Sequence, residues 1–412
     1  MVRRLGRTAC VLAVLALLGP GDVLGQAASD PGEPDLELPD EPEAAEPRRI
    51  DAGFEASASV APEDTRFFNY TDYRESALRT LRASGSMSLR LGRRATLLGE
   101  LRGANGEGVR VSALYLRLHP WAGRPVDVQV GRVPPTFGAF PRRSYSADNP
   151  LVGYPLAYQY LTSLRADAVP STADDLLAMR GRGWLSSFPV GADRPEYGLA
   201  LAAVSRWDTG VQVHVGPETL SLTASITAGS LSNPMVRDDN GGKQVAARGE
   251  LRPSPALVLG VSAARGAFLE RDLASQLEPA GGPAPVQRAL GLDVEHSRGY
   301  WLVRGEGILS EWGIPGLGSV RALGLSGEGR YKLLPGLYAA ARVERLGFSR
   351  IRGTLFEGRS TPWEAPVFRI EAGGGYRPAR NVLVKAAYQY NRRDTTRFRS
   401  QGLLAAQVLV WY

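Results

Sequence analysis

Three histidines, His119, His214 and His296, and two aspartate pairs, Asp174–Asp175 and Asp238–Asp239, are the residues best suited to acid–base or metal chemistry. A histidine works as a base only with a nucleophile or an orienting carboxylate in reach. Each histidine instead closes an alternating run beside a short turn ("HPWAGRP", "VGPE", "HSRG"), far in sequence from either aspartate pair. No H-E-x-x-H, phosphate-binding G-x-x-x-x-G-K-[ST] or G-x-S-x-G occurs. The single cysteine, Cys10, lies near the N-terminus, so the rest of the chain has no disulfide, thiolate metal site or cysteine nucleophile. No catalytic residue, cofactor or metal is expected.

The other chemistry-bearing residues are charges. Arg142, Arg143, Arg165, Asp148, Asp167, Asp174 and Asp175 crowd one segment. Arg180, Arg182, Arg248, Arg304, Arg330, Lys332, Arg342, Arg369 and Lys385 fall on one face of alternating runs. That face also carries Glu250, Asp293, Glu295, Glu306, Glu328, Glu344 and Glu371. Rings of cations in a pore favour anions, and rings of carboxylates favour cations. Such charges can also simply pair across strands, and for any one residue that is the competing reading. The candidate constriction residues are Arg142, Arg143, Asp148, Arg165, Asp167, Asp174, Asp175, Arg180, Arg182, Arg248, Arg304, Arg342 and Arg369.

The elements that position these charges read as strands. In "ETLSLTASITAG", Leu220, Leu222, Ala224, Ile226 and Ala228 share one face, and Ser221, Thr223, Ser225 and Thr227 share the other. "KQVAARGELR", "PVFRIEAGGGY" and "NVLVKAAYQYNRR" repeat the pattern with charges of both signs on the polar face. A dry sandwich core does not accept such a face. Apolar outside, polar inside, with Tyr300, Tyr331, Tyr376, Tyr388 and Tyr390 on the apolar faces, is the pattern of a transmembrane antiparallel β-barrel. A soluble, secreted all-β protein is the alternative. Short turns at 92–94, 119–125, 188–195, 215–218, 252–255, 296–299, 333–336 and 377–381 alternate with longer, polar connections. This spacing predicts about 18 strands, or 16 if the faint runs 52–60 and 208–215 are not strands. The last run, "LLAAQVLVWY", ends in an aromatic and resembles the strand by which barrel-assembly machinery recognises its substrates.

The N-terminus supplies the address. Arg3, Arg4 and Arg7 precede an apolar run, Ala9–Leu18, and then small residues, so 1–26 is expected to be a secretory signal peptide. Residues 27–50, rich in Pro, Glu and Asp, are expected to be a disordered leader. The formal charge is +7, but 1–26 carries +2 and 27–47 carries −8, leaving +13 on 48–412. A basic, exported body favours anionic ligands. Export excludes nucleic acid.

"GRVPPTFGAF" (131–140) breaks a clean strand. Pro134 and Pro135 cannot donate to a ladder, and Gly138 permits a sharp turn. The residues that follow, to 177, are too apolar for solvent (Phe137, Phe140, Tyr154, Leu156, Tyr158, Tyr160) and predict a long third external loop folded into the barrel. The motif resembles the G-x-x-x-x-P-F-G element of the phosphate-selective porin (O/P-type) family, with Thr136 where that family has proline. General porins likewise fold their third loop inward as a constriction. The resemblance implies an outer-membrane porin passing small hydrophilic, anion-leaning solutes by passive diffusion. The expected organisation is therefore a β-barrel over 51–412 with a constriction loop at 134–177, in the bacterial outer membrane. Its partners would be membrane lipid, the barrel-assembly machinery and small anions, with a homotrimer as one fitting assembly. A barrel hydrolase and a structural or adhesive barrel are the alternative functions.

Overall fold

The computed structural model describes residues 49–70, 76–105, 108–203, 207–232, 242–277, 285–351, 353–395 and 399–412. The expected signal peptide, the leader to residue 48 and Asp238–Asp239 lie outside these.

Sixteen strands close one antiparallel barrel. The chain opens with β1 (Ile50–Val60), β2 (Leu81–Arg90), β3 (Ala95–Ala104), β4 (Val109–Leu118) and β5 (Val126–Val133). Two short strands, β6 (Ala168–Val169) and β7 (Val190–Gly191), pair only with each other. The wall resumes with β8 (Asp208–Val215), β9 (Leu220–Thr227), β10 (Gln244–Ser254), β11 (Leu257–Ala267), β12 (Val286–Arg298) and β13 (Trp301–Ile314). It ends with β14 (Gly318–Leu334), β15 (Leu337–Phe348), β16 (Val367–Ala379), β17 (Val382–Arg393) and β18 (Ser400–Trp411). β1 pairs with β18 from Glu55↔Trp411 to Val60↔Ala406, which closes the sheet and leaves no barrel edge.

The barrel has the lower of the two expected counts, for an unexpected reason. Both faint runs, 52–60 and 208–215, are strands. The surplus lay around "FPVGADRP" (188–195), which is no rim turn, because its flanks do not join the wall. β5 pairs directly with β8, Val126↔Val215 through Val133↔Asp208, and everything from 134 to 207 is one insertion. Arg180 and Arg182 therefore sit in the insertion and not on strands. Pro189 and Pro195 break ladder donation there, and Gly183 and Gly198 press so closely on 161–164 that no Cβ would fit.

Alternation sets the wall's two faces. On β9 the exposed residues are Leu220, Leu222, Ala224 and Ile226, while Ser221, Thr223, Ser225 and Thr227 are buried. Leu292 is 67% exposed and Leu404 63%, whereas Arg342, Lys385 and Arg369 are almost wholly buried. That is the inverse of a soluble protein. No helix among the described residues is long and apolar enough to cross a membrane, so the apolar surface belongs to strands. Tyr300 and Trp301 pack on Tyr331 beside the β12–β13 turn, with ring centroids 6.2 and 4.6 Å apart, an interfacial aromatic cluster. The turns on that rim are short, and the connections on the other rim include 61–80, 134–207, 268–285 and 349–366.

Candidate functional site

The insertion begins where the prolines stop β5. Thr136 donates to Ser225 (2.8 Å), and Gln212 donates to Pro134 O and Thr136. Gly138 holds φ at 80°, and a Cβ there would strike the Tyr158 hydroxyl. This turn aims two backbone N–H groups at the wall: Gly138 to Ser262 (3.1 Å) and Ala139 to Glu306 (2.8 Å). A single 3-10 turn, Phe140–Arg143, follows.

From there the segment bonds in turn to strand after strand, always on the face opposite the exposed apolar one. Tyr145 donates to Glu100 on β3, and Ser146 and Ala147 donate to Glu55 on β1. The Lys385 ammonium on β17 donates to three carbonyls, Ser146, Asn149 and Leu151, at 2.8–3.1 Å. Gly153 N–H donates to Glu371 on β16, while Arg342 on β15 donates to Gly153 O. Leu156, first residue of α1 (Leu156–Gln159), donates to Glu344 (2.7 Å), and Tyr158 donates to Glu306 (2.6 Å). Arg369 donates to Tyr154 O and Phe68 O. Carboxylates thus take orphan N–H groups, and cations take orphan carbonyls, of a loop with little secondary structure of its own.

Beneath these bonds lies an apolar core. Phe137, Phe140, Tyr154, Leu156, Tyr158, Leu164, Leu176, Phe188 and Leu201 are buried together with Ile308, Trp312, Leu346 and Trp363. The second half of the insertion is tied to the 349–366 connection. Glu364, fully buried, accepts from Ser163 (N–H 2.8 Å, hydroxyl 2.5 Å) and from Gly181 N–H. Burial pushes its carboxyl above the usual range, against the pull of those donors.

The candidate charges separate into three groups. Most are bound in ion pairs. Arg142 bridges to Glu250, and Arg248 pairs with both Glu250 and Asp293. Arg143 and Arg304 meet on Glu328, and Arg342 pairs with Glu328, Glu344 and Glu371. Arg165, buried, forks onto Asp167 at 2.7 and 2.8 Å. A second group is structural or exposed: Arg369 holds the Tyr154 and Phe68 carbonyls, and Asp175 closes a capping box with Thr172 at the start of α2 (Ala173–Ala178), beside exposed Asp174. Asp148 is exposed, yet partial desolvation raises its carboxyl despite Arg143, Arg304 and Lys385. The third group, Arg180 and Arg182, lines an external vestibule of about 1260 Å³ with Arg350, Arg359 and Arg399, against Glu357 and Asp394. Alternation marked Lys385, Glu306 and Glu371 as lumenal, but not as anchors of backbone. Nothing in the sequence pointed to Glu364.

The histidines stand at the short-turn rim. His119 Nε2 is 3.7 Å from Asp127, and His214 Nδ1 is 2.9 Å from the Thr223 hydroxyl. Among the described residues no cluster of His, Cys, Asp or Glu could hold a metal ion.

A closed barrel, apolar without and charged within, with a long insertion after its fifth strand, defines a porin-type fold. Solved structures share it. The anion-selective porin of Comamonas acidovorans matches with TM-score 0.52 at 9% identity, over 88% of this chain and 99% of that one. The outer membrane channel DcaP of Acinetobacter baumannii matches with TM-score 0.51 at 11% identity, over 88% and 97%. OmpT of Vibrio cholerae, in a trimer form, matches with TM-score 0.51 at 10% identity, over 88% and 99%. At such identities the likeness is one of fold, and it is the fold of bacterial outer-membrane barrels. No protein-family model and no curated protein matches the sequence.

Proposed function

We propose that this protein is a passive outer-membrane porin without enzymatic activity. The insertion 134–207 lies in the lumen as its constriction, and small hydrophilic anions are the favoured solutes. The chain of hydrogen bonds from the insertion to β1, β3, β9, β11, β13, β15, β16 and β17 carries this reading. A segment bonded to opposite sides of a barrel narrows it. The constriction is longer than the 134–177 read from sequence.

Anion preference rests on the vestibule. Its five arginines outnumber its two acids, and a cationic mouth raises the local concentration of anions. Phosphate specificity of the O/P type stays a proposal carried by the motif, as the homotrimer is carried by analogy with the trimeric neighbour. Export by the N-terminal segment completes the scheme.

Planar-bilayer recording under a salt gradient tests it. The reversal potential should report anion preference, and Arg180→Gln with Arg182→Gln should move it toward cations. A purified barrel that forms no channels, or a potential that the double variant leaves unaltered, counts against the reading.

A further inference from the structure

The charged interior has a counterpart on the outer face. Register places Arg265 on β11 directly opposite Arg288 on β12, then Arg288 opposite Glu311 on β13, and Glu311 opposite Arg321 on β14. All four lie near the long-connection ends of their strands, on the apolar, outward side. One step down the same register line is wholly apolar: Ala263, Leu290, Leu309 and Leu323.

Like charges directly across a strand pair repel. Glu311 does not relieve Arg265: it holds Arg321 at 2.5 Å and reaches Arg288 only at 3.9 Å. Arg265 is exposed and meets no acid among the described residues. Three cations thus crowd one carboxylate that pairs with only two of them, at the edge of the apolar face. Below them opens a groove of about 570 Å³, with Lys243, Arg265, Arg288 and the lone acid Glu311 at its charged end and Val245, Ala247, Ala263, Leu290 and Leu309 along its walls. The alanines make the groove: their short side chains leave room between taller neighbours.

We propose that this groove is a binding site for a phosphorylated lipid of the outer leaflet. The phosphate sits between Arg265 and Arg288 and turns their repulsion into two charge-assisted pairs, while an acyl chain fills the alanine channel. An arginine fork takes a phosphate oxygen pair in a way no neutral headgroup offers. The inference does not depend on channel activity.

The test uses the purified, folded barrel in detergent and native mass spectrometry with two added probes, bisphosphorylated lipid A and the same lipid dephosphorylated. The wild type should retain the phosphorylated probe at least tenfold better. Arg265→Gln with Arg288→Gln should remove that preference, a loss of roughly tenfold in affinity for a severed charged contact. Ala263→Phe, which fills the groove and leaves both arginines, should weaken both probes. Equal retention of the two probes, or an unchanged preference in the double variant, overturns the proposal. So does the other occupant of such a face, a second copy of the chain: Ala263→Phe would then change the oligomer mass and leave lipid retention alone.

Discussion

The wall and the insertion obey opposite rules within one chain. The wall turns Leu220, Leu292 and Leu404 outward and hides Ser225, Arg248 and Lys385. The insertion hides Phe137, Leu156, Tyr158 and Leu201, as a soluble domain does. The difference lies in what surrounds each: lipid on one side of the wall, and protein around the buried half of the insertion. Charges on the inner face are therefore not merely solvated. They serve as hydrogen-bonding partners for a segment that has too little helix or sheet to satisfy its own backbone.

The largest test removes the middle of the insertion and leaves the wall. β5 and β8 pair directly, so the wall's hydrogen-bond ladder does not run through the insertion. Deleting 146–172 should leave a heat-modifiable, assembled barrel whose single-channel conductance rises severalfold. Unchanged conductance would place the insertion outside the ion path. Next in size, Leu292→Arg on the lipid-facing side should destabilise the barrel by about 2–4 kcal/mol, measured by urea unfolding from vesicles. The same exchange at an exposed site of a soluble protein costs little.

Lys385→Met strikes the joint between the regions. It strips three carbonyls of their donor while keeping the stem, so the insertion should loosen by about 2–3 kcal/mol with the wall intact. Protease cleavage within 142–160 and greater open-channel noise are the readouts. A variant as resistant and as quiet as the wild type would assign the lysine no holding role.

Glu364 gives the smallest effect. Its folded pKa is raised from 4.5, so the native protein binds this proton more tightly than the unfolded chain does. The clamp's contribution is greatest below 4.5 and declines as pH rises through the raised value. Hydrogen exchange at Ser163 and Gly181, corrected for intrinsic rates, should therefore speed up with pH in the wild type. In Glu364→Gln that dependence should vanish.

The wall was legible because period-2 alternation is written residue by residue, in "LSLTASIT" as in "VLVKAAYQY". The insertion was legible at its start, where two prolines and Gly138 interrupt a strand, and illegible at its end. From 178 to 207 the chain contains short apolar runs that imitate strands, and only the direct pairing of β5 with β8 shows otherwise. Candidate charges were found by type, but their roles depend on partners distant in sequence. Arg342 reads as a pore-lining cation until Glu328, Glu344, Glu371 and the Gly153 carbonyl surround it.

The seam between β1 and β18 has a consequence for biogenesis. Phe54 and Tyr412 exchange both backbone hydrogen bonds, at 2.9 and 3.0 Å, across more than three hundred residues of chain. No shorter stretch of the polypeptide can close the sheet. A nascent chain that has made every other strand pairing still presents two raw edges, each a template for aggregation. Closure is thus an all-or-none event that waits for the final strand, and such long-range pairing is intrinsically slow. Until β18 is in place the ribbon stays open, and loss of the Phe54–Tyr412 pairing would prolong the interval in which that ribbon can find the wrong partner.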